Sequence, residues 1–235
     1  MIMSKKLLCD LHIHTRKSDG ELSIEEVVDI YGKNGFDVIA ITDHFLDSES
    51  LKNKNIDKKY RKSLLREELN DYYSEIERCK ELAMEKYGLL VIPGIEFTAN
   101  TRGFHILGLD VTEFIDPDQE VEPIVEKIKK QGGIAIAPHP VNGKTSSRHE
   151  GNTYLWDRLE KFRGLFDAWE IGNRDDYFSH VGMEGLNYVA NSDMHSRKNI
   201  SSWKTVLTCE KDVESIKEAI RSGNTEVMFY SEYSD

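Results

Sequence analysis

Leu7-Leu-Cys-Asp-Leu-His12 and Val38-Ile-Ala-Ile-Thr42 are short apolar runs, and the amphipathic segment Ser23–Asn34 lies between them. Ser23 with Glu26 three positions on makes a capping box, and Gly35 stands just past the last periodic residue. The three pieces read as strand, helix and strand. Further apolar runs follow at Leu89–Ile95, His105–Leu109, Ile134–Ala137, Ala168–Ile171, Tyr188–Ala190, Thr205–Thr208 and Glu226–Tyr230. Leu65, Leu69, Tyr72, Ile76, Cys79 and Ala83 recur at steps of four and three, which predicts one long helix ending near Gly88. Val121–Gln131 stops at a Gly-Gly pair and Asp212–Ser222 stops at Gly223, so both read as helices. Strands alternating with helices predict a parallel α/β architecture, open or closed, as one domain over residues 1–235. Two inserted segments are expected, a basic one at 45–66 and a polar one at 142–152.

Composition narrows the function classes. The chain has 235 residues, 39% hydrophobic and 31% charged, which suits a globule with its own core and argues against disorder. No apolar run approaches the ~18 residues of a membrane span, and the N-terminal apolar stretch is too short for a signal peptide. The expectation is a cytoplasmic protein with no membrane partner. Cys9, Cys79 and Cys209 are odd in number and far apart, giving neither a disulfide framework nor a CxxC metal pair. A net charge of −11 opposes indiscriminate binding to duplex DNA. Residues 51–66 run the other way, with seven basic side chains against Asp57 alone. That segment reads as a solvated face or as a charged lid over an anionic substrate.

Six of the eight histidines fall where strands begin or end. His12 and His14 follow the first strand, His44 closes the second, His105 opens a short strand, His139 follows Ile-Ala-Ile-Ala-Pro, and His195 ends Asn-Ser-Asp-Met-His. Glu96 and Asp193 hold similar positions. C-terminal strand ends of parallel α/β folds share one face, where active sites form. A single strand-end histidine is more often a hydrogen-bonded structural residue than a ligand; the set points to a metal site. Its donors are nitrogen and oxygen without thiolate, which suits Zn²⁺, Mn²⁺ or Fe²⁺ better than Mg²⁺ or Ca²⁺. His149 and His180 read as surface residues. Asp10 sits two residues before His12 and, on strand alternation, is expected to orient an imidazole N–H. Asp43, beside His44, has the same expectation. Arg148, Arg174 and Arg197 follow strand ends that should ring the metals and are the candidate phosphate-binding cations.

Asp-Leu-His-Ile-His-Thr at 10–15, Ser-Asp-Gly at 18–20, Ile-Thr-Asp-His at 41–44, Pro-Gly-Ile-Glu-Phe at 93–97, His105, Ala-Pro-His-Pro at 137–140 and Ser-Asp-Met-His at 192–195 together resemble the PHP (polymerase and histidinol phosphatase) family. The resemblance runs in order from about residue 7 to 230. It implies a distorted (β/α)7 barrel with two or three divalent metal ions at the C-terminal mouth of the strands. By motif, His12, His14, Glu96 and Asp193 would hold one ion. Glu96, His105 and His139 would hold a second, with Glu96 bridging the two, and Asp19, His44 and His195 would hold the third. Glu96, Asp193, His195 and Asp10 are the candidate catalytic residues.

Three divalent ions against the carboxylates of Asp19, Glu96 and Asp193 would leave a positive centre that attracts a hydroxide and a phosphate oxyanion. The expected chemistry is in-line attack of a metal-bridging hydroxide on phosphorus, with no nucleophilic Ser or Cys required. The leading expectation is a phosphomonoesterase resembling histidinol-phosphate phosphatase, taking a small phosphorylated substrate and releasing inorganic phosphate. The alternatives are a phosphodiesterase or exonuclease-like enzyme on a nucleotide or short single-stranded nucleic acid, a metallo-hydrolase of a C–N or C–O bond, and a non-catalytic polymerase-associated domain. For the second, Phe45, Tyr60, Tyr72 and Tyr73 are candidates to stack a base, although Tyr72 fits the buried stripe of the long helix better.

Overall fold

The computed structural model describes residues 5–54, 62–141 and 153–232. In chain order the elements are β1 (Lys6–Asp10), α1 (Ile24–Lys33), β2 (Val38–Ile41), β3 (His44–Leu46), α2 (Ser48–Lys52), α3 (Leu69–Tyr87), β4 (Leu90–Ala99), β5 (Phe104–Leu109), α4 (Val121–Lys130), β6 (Ile134–Ala137), α5 (Leu159–Phe162), β7 (Ala168–Asn173), β8 (Asp176–Tyr177), α6 (Ser179–Met183), β9 (Tyr188–Asn191), β10 (Ser202–Thr208), α7 (Val213–Arg221) and β11 (Thr225–Tyr230). The expected capping box is present at Ser23 and Glu26. In α3 the buried stripe is Leu69, Tyr72, Ile76, Cys79 and Ala83, and Gly88 closes the helix at φ 63°. Leu65 extends the sequence spacing by one step but lies before the helix begins, and it is 42% exposed.

All strands join one sheet. β1, β2 and β4 run parallel, as do β6, β7 and β9, whereas β4–β5, β5–β6, β1–β10 and β10–β11 pair antiparallel. The wholly parallel sheet expected from the alternation is therefore corrected to a mixed one. The β4–β5 turn shows why: residues 100–103 are too few for a crossover, so the chain can only fold back as a hairpin.

The sheet curls until its distant strands meet. Thr205 Oγ1 of β10 donates to the carbonyl of Ala190 at 2.8 Å and accepts from its N–H at 2.9 Å, joining β10 to β9. Beyond the strand ends, Ile13 and Met194 form a parallel bridge, with His14 N donating to Met194 O at 2.8 Å. The enclosed face carries Leu7, Cys9, Leu11, Val38, Ala40, Leu90, Ile92, Leu107, Leu109, Ile134, Ile136, Ala168, Val189 and Leu207 in one cluster, against which α7 packs Ile216, Ala219 and Ile220. The alternate residues, such as Ile39, Ile41, Val91 and Ala135, pack outward against the helices in a second cluster. Period-two alternation thus separates an inner core from an outer one. The result is an α/β fold with a curled, half-barrel sheet. No helix among the described residues is long and apolar enough to cross a membrane.

Candidate metal centre

β1 ends at Asp10, and strand alternation holds through Leu11, which joins Leu7 and Cys9 in the inner cluster, but breaks before Ile13, which packs in the outer one. This break turns His12 and His14 together into the mouth of the curled sheet. β4 brings Glu96, which pairs with His44 in β3, while Thr98 pairs with His105 in β5. His139 follows β6, and Asp193 and His195 follow β9. His139, Arg174 and Asp193 hold φ of 30°, 52° and 46°. Left-handed conformations in residues other than glycine carry strain that the surrounding contacts must offset.

The expected ligands converge. His12 Nε2 and His14 Nε2 are 3.0 Å apart. His12 Nε2 stands 3.6 Å from both Glu96 Oε2 and Asp193 Oδ1, and His14 Nε2 stands 3.4 and 3.3 Å from the same two atoms. Ligand atoms around a tetrahedral ion with bonds of ~2.0–2.1 Å are about 3.3 Å apart. On the other side of Glu96, Oε1 faces His105 Nδ1 at 2.9 Å and His139 Nε2 at 3.3 Å. Asp19 Oδ1 lies 3.0 Å from His195 Nε2 and 3.5 Å from His44 Nε2. His14, Asp19, His44 and His195 form one set with metal-binding spacing, His12, His14 and Asp193 another, and His12, Glu96 and His139 a third.

Donor chemistry supports the fit. Glu170 Oε1 accepts from His12 Nδ1 at 3.0 Å, which turns His12 Nε2 toward His14 Nε2 and the carboxylates of Glu96 and Asp193. Glu96 Oε2 and Asp19 Oδ1 are buried and have imidazole nitrogens around them but no hydrogen bond of acceptable geometry. The residues present therefore suit nitrogen- and oxygen-ligated divalent ions.

Protonation follows the same crowding. Burial raises the carboxyl of Glu96, but His44, His105 and His12 outweigh it and hold the group well below its usual range. Asp193 is likewise depressed, burial being overcome by Arg174, His195 and His12. Burial disfavours charge on His44, yet Glu96 and Asp19 raise its pKa to about 9. His14 goes the other way, lowered by burial and by neighbouring His44 and His195.

Other expected residues divide. Asp43 accepts from Thr15 N and Thr15 Oγ1, both at 2.7 Å, and from Ser18 N at 3.1 Å and Ser18 Oγ at 2.6 Å. It fixes the loop that carries Asp19 and does not orient an imidazole. Asp10 is a correction as well. Its partners are Tyr31 Oη at 2.6 Å, Ser192 N at 3.0 Å and Lys204 Nζ at 3.2 Å. The break in alternation explains this, since Asp10 points toward α1 while His12 points into the mouth. Arg174 reaches the cluster, with Nη2 at 2.7 Å from Asp193 Oδ2 and 3.0 Å from His195 Nδ1. Arg197 does not: its guanidinium pairs with Glu232 at 2.8 Å and is largely exposed, because the turn after His195 carries it outward. Arg148 and His149 fall outside the described residues, as do Tyr60, all of 142–152 and part of 45–66. His180 is exposed, and Tyr72 is buried in its stripe.

Glu170 escaped the sequence reading. It is fully buried and accepts from four donors: His12 Nδ1, Asn191 Nδ2 at 2.9 Å, His139 N at 2.8 Å and Asn173 Nδ2 at 2.8 Å. A lone acid within the apolar run Ala-Trp-Glu-Ile at 168–171 was the available signal. Asn100 also escaped; its Oδ1 stands 2.9 Å from His105 Nε2.

Gly20 gives a local test of the loop. A Cβ there would lie 2.5 Å from the carbonyl oxygen of His14. Gly20→Ala should cost about 1–3 kcal/mol through overpacking and weaken metal binding by displacing Asp19 and His14. Denaturant titration together with metal analysis checks this, and an unchanged midpoint and metal content would refute it.

The PHP domain model matches residues 10–113 of this chain. The uncharacterized protein MJ1587 of Methanocaldococcus jannaschii is 32% identical over 142 residues, covering 56% of this chain and 66% of that protein. The DNA polymerase/3′-5′ exonuclease PolX of Bacillus subtilis is 26% identical over 222 residues, covering 86% of this chain and 36% of that one. Among solved structures, a two-domain protein from Bacteroides vulgatus containing a predicted PHP-like metal-dependent phosphoesterase superposes with a TM-score of 0.71 at 21% identity, over 96% of this chain and 65% of its own. That last likeness is one of fold. The chain spans less than two thirds of the length of each of these three proteins.

Proposed function

We propose that this chain is a metal-dependent phosphoester hydrolase acting on a small phosphorylated metabolite or nucleotide, chiefly as a phosphomonoesterase that releases inorganic phosphate. The observation that carries the reading is that His12 Nε2 and His14 Nε2, 3.0 Å apart, each stand 3.3–3.6 Å from both Glu96 Oε2 and Asp193 Oδ1. In this reading residues 1–235 form one domain of the distorted (β/α)7 barrel type and work in the cytoplasm. His12, His14, Glu96 and Asp193 hold one ion, Glu96 with His105 and His139 a second, and Asp19, His44 and His195 a third.

Bound divalent ions, Zn²⁺, Mn²⁺ or Fe²⁺ by donor type, supply Lewis acidity and an activated water. The chain supplies the rest. Glu96 presents one oxygen to each of two ligand groups and keeps them in register. Arg174 holds Asp193 by one nitrogen, while its buried Nε has no hydrogen-bond partner among the described residues. A phosphoryl oxygen entering beside Asp193 would satisfy that donor. His195, next to Asp19 and Arg174, lies where a leaving oxygen would be handled.

A second reading, phosphodiester or exonuclease chemistry, is favoured by the likeness to PolX across 86% of the chain. The test is phosphate release after loading with each metal, on histidinol phosphate, a nucleoside monophosphate, a nucleoside 3′,5′-bisphosphate and a short oligonucleotide, with His12→Ala as control. Turnover of monoesters alone supports the first reading. Preference for the oligonucleotide supports the second. Silence with ions bound removes both.

A further inference from the structure

Glu170 has no acceptor capacity left. A carboxylate offers about four lone-pair positions, and here each oxygen takes two donors: Oε1 from His12 Nδ1 and Asn191 Nδ2, Oε2 from His139 N and Asn173 Nδ2. Its two oxygens therefore touch two different candidate ligands, His12 and His139. One fixes the ring of His12; the other holds the backbone of His139, whose φ of 30° needs such an anchor. Asn191 extends the network to the first strand by accepting from Leu11 N at 2.9 Å.

We propose that Glu170 is a positioning residue that couples two candidate metal ligands, by fixing His12 as the tautomer with its lone pair on Nε2 and by pinning the backbone of His139. This rests on the metal-centre reading above and not on any choice of substrate. Glutamine at 170 cannot reproduce the arrangement. With its amide toward His12, two donors meet, and the ring must place its proton on Nε2, in the space a ligand lone pair should fill. With the amide reversed, it opposes His139 N–H and Asn173, and the His139 anchor is lost. Either outcome removes affinity without changing any ligand atom.

The test reads metal binding and requires no substrate. In the Zn²⁺-loaded protein, imidazole ¹⁵N spectra, with His12 assigned by comparison with His12→Gln, should show His12 coordinated through Nε2 and protonated at Nδ1. Glu170→Gln should bind Zn²⁺ about 10–100-fold more weakly in chelator competition, as loss of an outer partner of a metal-bound histidine usually does. Combined with His12→Ala, its cost should fall short of the sum of the two single effects, because part of its action passes through the missing ring. A fully additive cost, or unchanged affinity in Glu170→Gln, overturns the proposal. If Glu170→Gln does not fold, the wild-type spectrum decides: coordination through Nδ1, or a proton on Nε2, overturns it. Loss of phosphate release with normal His12 coordination and normal coupling would count against the phosphoesterase reading alone.

Discussion

Glu96→Gln is expected to lower phosphate release by more than about 10³-fold, a loss of about 4 kcal/mol in transition-state stabilisation, while leaving the fold intact. Glu96 is fully buried on β4 and both its oxygens are engaged. Oε2 faces His12, His14 and His44, and Oε1 faces His105 and His139. Five imidazoles thus depend on one carboxylate. Glutamine keeps the shape but removes the charge and turns an N–H₂ toward nitrogen lone pairs meant for a cation. Two ligand groups should weaken together, so the variant should lose ions as well as rate. Metal content by mass spectrometry, phosphate release and thermal unfolding, taken on one sample, separate these effects. Near-normal turnover with full metal content would remove Glu96 from any bridging role. Loss of the fold itself would mean that the carboxylate is needed for packing.

The residues that converge at the candidate metal centre were legible because each sits in a short local signal: paired histidines two apart, or an acid or histidine at the end of an apolar run. Their convergence needs only that strand ends share one face, which the mixed sheet preserves even though the strand directions do not follow the parallel expectation. Direction is not encoded in hydrophobic period. It became visible only in the short turn at 100–103. Glu170 was illegible for a related reason. Three of its four partners lie 158, 31 and 21 residues away, and a single acid in an apolar strand says nothing about which donors will surround it. Asp10 was misread because alternation was carried past Leu11, where the strand ends and the chain turns. Arg197 was misplaced because a strand-end position fixes a backbone and leaves a long side chain free to find Glu232.

The corrected place of Asp10 leads to the second large effect. Asp10 and Lys204 are both fully buried, and the lysine ammonium has the carboxylate at 3.2 Å with Ser202 and the Trp203 carbonyl as further acceptors. Removing one member of a buried ion pair strands the other, so Asp10→Ala should cost about 3–5 kcal/mol at neutral pH. Lys204→Met should cost less, about 1–3 kcal/mol, because Asp10 keeps the donors Tyr31 Oη and Ser192 N. The pH dependence follows from the lysine. Burial lowers its pKa in the folded protein, and Asp10 offsets part of that lowering. Without Asp10 the folded value falls further, while the unfolded chain keeps its ordinary value near 10.4. Between those limits the unfolded state binds more protons, so the variant gains stability as pH rises and loses it as pH falls toward the folded value. The gap between wild type and Asp10→Ala should therefore narrow from pH 7 to pH 9.5 in denaturant titrations. A gap under about 1 kcal/mol at pH 7, or one that widens with pH, would mean that the pair is not the anchor of this strand end. Ser192 precedes Asp193 in the chain, so the same substitution should also loosen Asp193. Its effect on metal binding should follow the unfolding data, because the buried pair supports the ligand loop from behind.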